Sequence, residues 1–220
     1  MKISRKEIIL QSNDFSNSLK ENDKFDIYKH AIFFDLEHYV YKKPICIGVF
    51  GCCYYDDESN KLIIDQYMIE NRKDTKKILF MAEQYFKNSI EKLHKKYIVT
   101  FSGNNDFTML KYLFEKNKIE FEPEERFEHI DLQKEYEKVK KVCIGLKNLE
   151  KQFEIEREGE LISGSNLAKT ISKIMYDKDY YDRMPGEKKE KILLYNEQDV
   201  VNLFYIFVNW NKYIIPEEDN

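Results

Sequence analysis

Ala31-Ile32-Phe33-Phe34-Asp35-Leu36-Glu37 is an apolar run that turns acidic at its end. Read as a strand, it sends successive side chains to opposite faces, so Asp35 and Glu37 point the same way. Two carboxylates side by side repel unless a proton or a cation sits between them. A divalent metal is the usual solution. The stretch therefore predicts a metal-dependent enzyme and requires further acidic ligands from the rest of the chain.

The chain has 220 residues, enough for one large domain with a real core. The reading divides it into a polar lead-in over 1–29, a domain over 30–212 and a polar tail over 213–220. Charged residues make up 35% and aromatics 15%, which supplies a solvated surface and bulk for the interior and excludes extensive disorder. The net charge of -4 lacks the basic signature of many nucleic-acid binders. An acidic metal site subtracts charge that bound cations restore, so this balance weighs little against such a partner. The lysine clusters Lys92/Lys95/Lys96, Lys138/Lys140/Lys141 and Lys188/Lys189/Lys191 read as solvated helix faces. Cys46, Cys52, Cys53 and Cys143 lack zinc spacing, and the first three sit in an apolar strand-like segment as small hydrophobes. With no signal peptide and no membrane-length apolar run, the expected setting is reducing and cytoplasmic, with no membrane partner.

Outward from the opening strand, Pro44–Tyr55 and Lys61–Ile69 read as two more strands, joined through the turn cluster Asp56-Asp57-Glu58-Ser59-Asn60. The three strands make an antiparallel meander. Over Asp74–Leu93 the period becomes helical, with Ile78, Leu79, Ala82, Tyr85, Phe86 and Ile90 on one face. Tyr97–Phe101 reads as a short buried strand and Asp106–Lys116 as a helix, which implies a parallel crossover onto the meander. His129-Ile130-Asp131-Leu132 reads as a strand end with Asp131 capping the next helix. Helices follow over Leu146–Phe153, from Ser163 or Ser165 to Met175, and over Glu187–Trp210. This order is that of a ribonuclease-H-like α/β fold: a mixed central sheet, antiparallel meander plus parallel strands, flanked by helices.

A two-metal site needs about four carboxylates around cations roughly 3.5–4 Å apart. Asp35 and Glu37 supply two. Asp106, in Phe101-Ser102-Gly103-Asn104-Asn105-Asp106-Phe107, follows a buried strand through a glycine-containing turn, where ligands gather in open α/β sheets. In Leu194-Tyr195-Asn196-Glu197-Gln198-Asp199, Tyr195 and Asp199 stand four apart and share a helix face. Asp199 beside an apolar stripe faces inward at a cost unless paired or metal-bound, and the phenol one turn away can hold a water. Taken singly, each piece is more often bland: a solvated strand end, a helix N-cap, a packed tyrosine beside a surface acid. Their order, element types and spacing together carry the functional reading.

On these residues the chain resembles the DEDD 3′–5′ exonuclease superfamily in its tyrosine-bearing (DEDDy) branch, and is especially similar to YprB-like ribonuclease-H-like domains. Phe34-Asp35-Leu36-Glu37 matches the first motif, Asp106 the second, and Tyr195 with Asp199 the third. His129–Leu132, Gly145–Glu150 and Ile162-Ser163-Gly164 fit as landmarks, so the resemblance covers about residues 30 to 210. The second motif departs from the family pattern: Asn105, not an aromatic, precedes Asp106, and Ser102-Gly103 stands where Asn-Gly is frequent.

The resemblance implies two Mg²⁺ or Mn²⁺ ions, with Asp35 bridging both, Glu37 and Asp199 completing the first and Asp106 holding the second. It implies that Tyr195 orients the attacking water, and that Leu36, His38 and Asn105 contact a single-stranded 3′ end of DNA or RNA. One alternative is a non-catalytic ribonuclease-H-like module that binds nucleic acid or a partner. Another is a phosphatase acting on small molecules.

Overall fold

The computed structural model describes residues 1–20, 24, 26–159 and 162–214. From residue 215 onward, the expected polar tail lies outside the described residues. Among these residues one sheet holds six strands: β1 (Lys2–Ile9), β2 (Ala31–Tyr41), β3 (Lys43–Asp56), β4 (Lys61–Met68), β5 (Tyr97–Thr100) and β6 (Glu128–Asp131). Their order across the sheet is β1-β4-β3-β2-β5-β6. Strands β2, β3 and β4 form the antiparallel meander, while β5 runs parallel to β2 and β6 parallel to β5. The helices are α1 (Asp74–Glu91), α2 (Asn104–Lys116), α3 (Pro123–Arg126), α4 (Leu132–Lys140), α5 (Leu146–Gln152), α6 (Gly164–Tyr176), α7 (Tyr180–Arg183), α8 (Gly186–Val208) and α9 (Trp210–Tyr213). No helix among the described residues is long and apolar enough to cross a membrane.

The stretch expected to be a polar lead-in contributes a strand. β1 pairs antiparallel with β4 along its whole length, from Lys2 opposite Met68 to Ile9 opposite Lys61. An edge strand is held by backbone hydrogen bonds and buries little, so it shows no clear apolar alternation. Lys2, Arg5, Lys6 and Glu7 instead place charge on the open edge, which discourages pairing with another chain.

Alternation along β2 sorts the two layers. Phe34 faces α1 and α2, its ring 5.4 Å from Phe86 and 6.1 Å from Phe107. Phe33 faces α8, 5.4 Å from Phe204 and 5.7 Å from Phe207. Asp35 therefore emerges on the α8 side with Phe33, and Leu36 on the α1/α2 side with Phe34. The β2–β3 register shifts between Glu37 and His38, an irregularity that re-aims the strand just past the acidic pair. Asp131 caps α4 by accepting from the Gln133 amide, and Ser163 caps α6 by accepting from the Asn166 amide. Cys46, Cys52 and Cys53 are buried as free thiols. Lys95 departs from the solvated-face reading: it is buried, and its Nζ donates to the carbonyls of Lys29 and Tyr55.

Close approach of α8 to the sheet depends on Gly51, which lies opposite Asp35 in the ladder. A Cβ there would sit 2.1 Å from Asn196 Oδ1 on α8. Gly51→Ala must displace the Asn196 carboxamide from its bonds to Asp35 and Gln66, with an expected cost of about 1–3 kcal/mol. Chemical denaturation of the variant measures that loss.

Candidate active site

Strands β2 and β5 run parallel, with Ala31 opposite Tyr97 and Phe33 opposite Val99, so their carboxyl ends share one rim of the sheet. Asp35 and Glu37 project from β2 at that rim, and α8 brings Asp199 down onto it. One carboxylate oxygen from each of these three residues lies within 4.8 Å of those from the other two. The residues are 162 positions apart at the closest chain separation to α8 (Glu37 to Asp199), yet their side chains meet.

Asp106 reaches the same rim from the other layer. It lies in the first turn of α2, which begins at Asn104, and it is buried. It stands outside the three-carboxylate group, because α2 and α8 pack on opposite faces of the sheet. Its charge is nevertheless felt by Asp35 and Glu37. Its nearest cationic candidate is His38, whose Nδ1 lies 3.7 Å from Asp106 Oδ1. Burial lowers the His38 pKa, so the ring is neutral at pH 7 and this contact is not an ion pair there. The buried His38 Nδ1 has no hydrogen-bond partner among the described residues.

The remaining expected contacts divide. Asn105 is exposed in the first turn of α2, next to Asp106. Leu36 is 4% exposed and belongs to the hydrophobic core, so its side chain is closed to a ligand. The alternation that aims Asp35 and Glu37 at the rim necessarily turns Leu36 inward. Asp131 accepts from the Ser102 and Gln133 amides, so its carboxylate organises the β5–α2 turn and the start of α4.

Neutral donors and one cation hold the acids together. Asn196 Nδ2 donates to Asp35 Oδ2 at 3.0 Å, and Asn196 Oδ1 accepts from Gln66 Nε2 at 2.9 Å. Gln66 Nε2 is also shared with the Leu193 carbonyl, tying β4 to α8. Arg157 forms a fork on Glu150 through Nε at 2.8 Å and Nη2 at 2.5 Å, and Nη2 also donates to Asp199 Oδ1. Asn202 donates to Glu150 Oε1 at 2.8 Å. The chain Asn202–Glu150–Arg157–Asp199 is buried throughout. Arg157 also lies 5.3 Å from the centre of the Tyr195 ring, and Lys147 Nζ 5.6 Å from it.

Sequence reasoning passed over Asn196, Gln66, Glu150 and Arg157. Glu150 did carry a signal: it occupies an apolar-stripe position of α5, four residues after Leu146 and three before Phe153. Arg157 carried none, since its place depends on how the α5–α6 connection folds back over α8.

Electrostatics follow from this crowding. Burial, and then the neighbouring Asp106, push Asp35 up to about 7. Burial and Asp35 push Asp199 up to about 8 against the opposing pull of Arg157. Burial, then Asp131 and Asp199, push Asp106 up to about 7. Glu37 is raised well above the usual carboxylate range by burial, Asp35 and Asp199. The Tyr195 phenol is raised by burial and by Asp199 and Glu37, and so stays a protonated donor. A cluster of hard carboxylate oxygens that resists ionisation in the absence of a counter-charge fits a divalent cation such as Mg²⁺ or Mn²⁺.

Two outcomes are expected. Carboxyls with raised pKa values stabilise the fold while protonated and lose that contribution as pH rises through their folded values. Melting temperature in EDTA should therefore fall as pH rises from about 4 to about 8 and level off above that, and Asp35→Asn should flatten the fall. Thermal melts across that range check both. Arg157→Met strands the buried Glu150 charge and should cost about 3–5 kcal/mol, whereas Glu150→Gln combined with Arg157→Met should recover most of it. Urea titrations of the two variants measure the difference.

Comparisons with known proteins agree with this architecture. No curated protein and no solved structure matches the chain. A family model, RNase_H_2, described as RNase_H superfamily, matches residues 32–211. That span runs from β2 through α9 and takes in all five of Asp35, Glu37, Asp106, Tyr195 and Asp199. The chain belongs to the RNase H superfamily.

Proposed function

We propose that the chain is a metal-dependent 3′–5′ exonuclease of the tyrosine-bearing DEDD type, similar to YprB-like domains, that hydrolyses phosphodiester bonds of nucleic acid. The observation that carries this reading is the meeting of Asp35, Glu37 and Asp199 within 4.8 Å, with Tyr195 one helical turn from Asp199. A lone acidic pair on a strand end has no need of a third carboxylate from a helix far along the chain. Superfamily membership makes a nuclease the natural frame for such a cluster.

Asp35, Glu37 and Asp199 would hold Mg²⁺ or Mn²⁺, with Asp106 contributing from the α2 side of the rim. When bound, two such ions neutralise charge on the scissile phosphate and make the attacking water more acidic. The protein's own groups do the rest. Tyr195 keeps its proton and offers its hydroxyl as a donor that orients the water. Arg157 and Asn196 fix the Asp199 and Asp35 carboxylates, so the ligands are aimed before anything binds. His38 and Asn105 stand at the mouth as contacts for the terminal nucleotide. In hydrolysis a water oxygen–phosphorus bond forms, the bond to the 3′ oxygen breaks, and a nucleoside monophosphate leaves.

The test is incubation with Mn²⁺ and end-labelled single-stranded and duplex DNA and RNA, with the product ladder as readout. The expected result is stepwise shortening from the 3′ end. Asp35→Asn should abolish it while the fold survives, and Tyr195→Phe should slow it about 10²-fold or more. Undiminished cleavage by Asp35→Asn would refute the assignment. Calorimetric titration with Mn²⁺ separates an inert binding module, which would take up no ions dependent on these carboxylates.

A further inference from the structure

Two buried polar groups face each other on the α2 side of the rim, each short of a partner. Asp106 is 8% exposed, and its carboxylate accepts no hydrogen bond from the described residues. His38 Nδ1, 3.7 Å from Asp106 Oδ1, is enclosed and makes no hydrogen bond with them either. A carboxylate without a donor and a ring nitrogen without a partner are both costly in a protein interior. At 3.7 Å and with a neutral ring, the contact between them is neither a hydrogen bond nor an ion pair.

The pair is set by a strand and a helix that are anchored beside it. The register shift past Glu37 places its extra residue, Gly48, on β3, because Glu37 stands opposite Val49 and His38 opposite Ile47. Alternation along β2 is therefore unbroken, and His38 follows Phe34 and Leu36 onto the α1/α2 side. There α2 presents Asp106 from its first turn. The adjacent Phe107 packs on Phe34, with ring centres 6.1 Å apart, and edge-on against His129 at 4.8 Å. Leu36 and Phe107 thus fix the backbone immediately beside both groups.

The ring is in the state that a metal requires. Burial lowers its pKa, and the Leu36 carbonyl, as a hydrogen-bond acceptor, opposes that shift without overcoming it. A neutral imidazole that serves a carbonyl through one nitrogen keeps a lone pair on the other, which is the usual arrangement of a metal-bound histidine. Two ligands about 2.1 Å from one ion stand about 3.0 Å apart when adjacent in an octahedron and about 4.2 Å apart when opposite. The separation of His38 Nδ1 from Asp106 Oδ1 falls between these limits. The other half of the centre offers carboxylate oxygens, from Asp35, Glu37 and Asp199.

We propose that His38 Nδ1 and Asp106 are joint ligands of the second cation, so that this half of the centre is a mixed nitrogen–oxygen site that prefers Mn²⁺ to Mg²⁺. The proposal rests on the metal-dependent reading above and adds a ligand and a metal preference to it. Imidazole nitrogen favours transition-metal ions, whereas Mg²⁺ holds to oxygen donors and keeps its waters. The His38 side chain is 28% exposed, so the outer edge of the ring still faces the terminal nucleotide while Nδ1 faces Asp106.

The experiment reads metal binding without substrate. The full chain, labelled with [¹⁵N]histidine, is titrated with Zn²⁺ as a diamagnetic stand-in for Mn²⁺, and its ring nitrogens are followed by NMR. The His38 signals are identified by their absence from His38→Phe. In the wild-type protein His38 Nδ1 should move to the position of a metal-bound nitrogen, and Asp106→Asn should weaken that response about tenfold or more. Calorimetry with Mn²⁺ and with Mg²⁺ gives a second readout. His38→Phe should lose about tenfold or more of its Mn²⁺ affinity at one of two sites and change little toward Mg²⁺. His38→Asn, which returns an oxygen donor, should bind both ions with the Mn²⁺ preference reduced. His38 nitrogens that keep their metal-free positions while Zn²⁺ binds would overturn the proposal, as would equal loss of Mn²⁺ and Mg²⁺ affinity in His38→Phe. A metal-bound His38 in a protein that cleaves no nucleic acid upholds this assignment and ends the nuclease reading. Cleavage with His38 free of metal does the reverse.

Discussion

Mutual repulsion among carboxylates forced into one small space is the constraint on which the rest of this structure depends. Asp35, Glu37 and Asp199 meet within 4.8 Å, and Asp106 presses on them from across the rim. A fold left to minimise its own energy would scatter such groups into water. Here the scaffold holds them by means that do not cancel their charge. Asn196 gives Asp35 a neutral donor, and Gln66 fixes Asn196 in turn. The one guanidinium in contact, Arg157, is already claimed by Glu150 through a two-pronged fork, so it orients Asp199 more than it neutralises the cluster. The three carboxylates thereby form a group that could hold a cation.

The β-sheet makes this concentration possible. Parallel pairing of β5 with β2 brings two strand ends to one rim, where backbone groups are no longer shared with neighbouring strands. Strict alternation sends Asp35 and Glu37 toward α8, while Phe34 and Leu36 anchor the same strand in the core behind them. The glycine opposite Asp35 lets α8 approach closely enough for Asn196 to reach across. Stability and site geometry are therefore properties of the same contacts: the aromatic packing of Phe33 on Phe204 and Phe207 is what presses Asp199 onto the rim.

The asymmetry among the four acids also has a physical origin. Three belong to the β2–α8 side and form a tight group, whereas Asp106 enters from α2 on the opposite face. Its partner is a neutral His38 whose Nδ1 is buried without a hydrogen bond. A site divided in this way has two unequal halves, one rigidly pre-formed and one joined to a turn that carries positive φ at Ser102. In the proposed nuclease, the better-formed half is the one that also holds the tyrosine.

Much of this was legible in the chain alone, because periodicity and charge are local properties. A two-residue period marked the meander and aimed Asp35 and Glu37 together. A four-residue spacing on a long helix put Tyr195 and Asp199 on one face. The order of strands and helices pointed to the ribonuclease-H-like fold, and the superfamily match over residues 32–211 agrees with it. What local pattern could not reveal depended on contacts between distant segments. β1 has the sequence of a polar leader because an edge strand needs backbone pairing, not apolar side chains. Leu36 had to turn its side chain into the core once its neighbours were aimed at the rim. Asp106 was set apart from the other acids by the layer in which α2 packs, and Arg157 was brought to Asp199 by a fold-back between α5 and α6. Spacing along a chain determines which side chains share a face; only packing decides which faces meet.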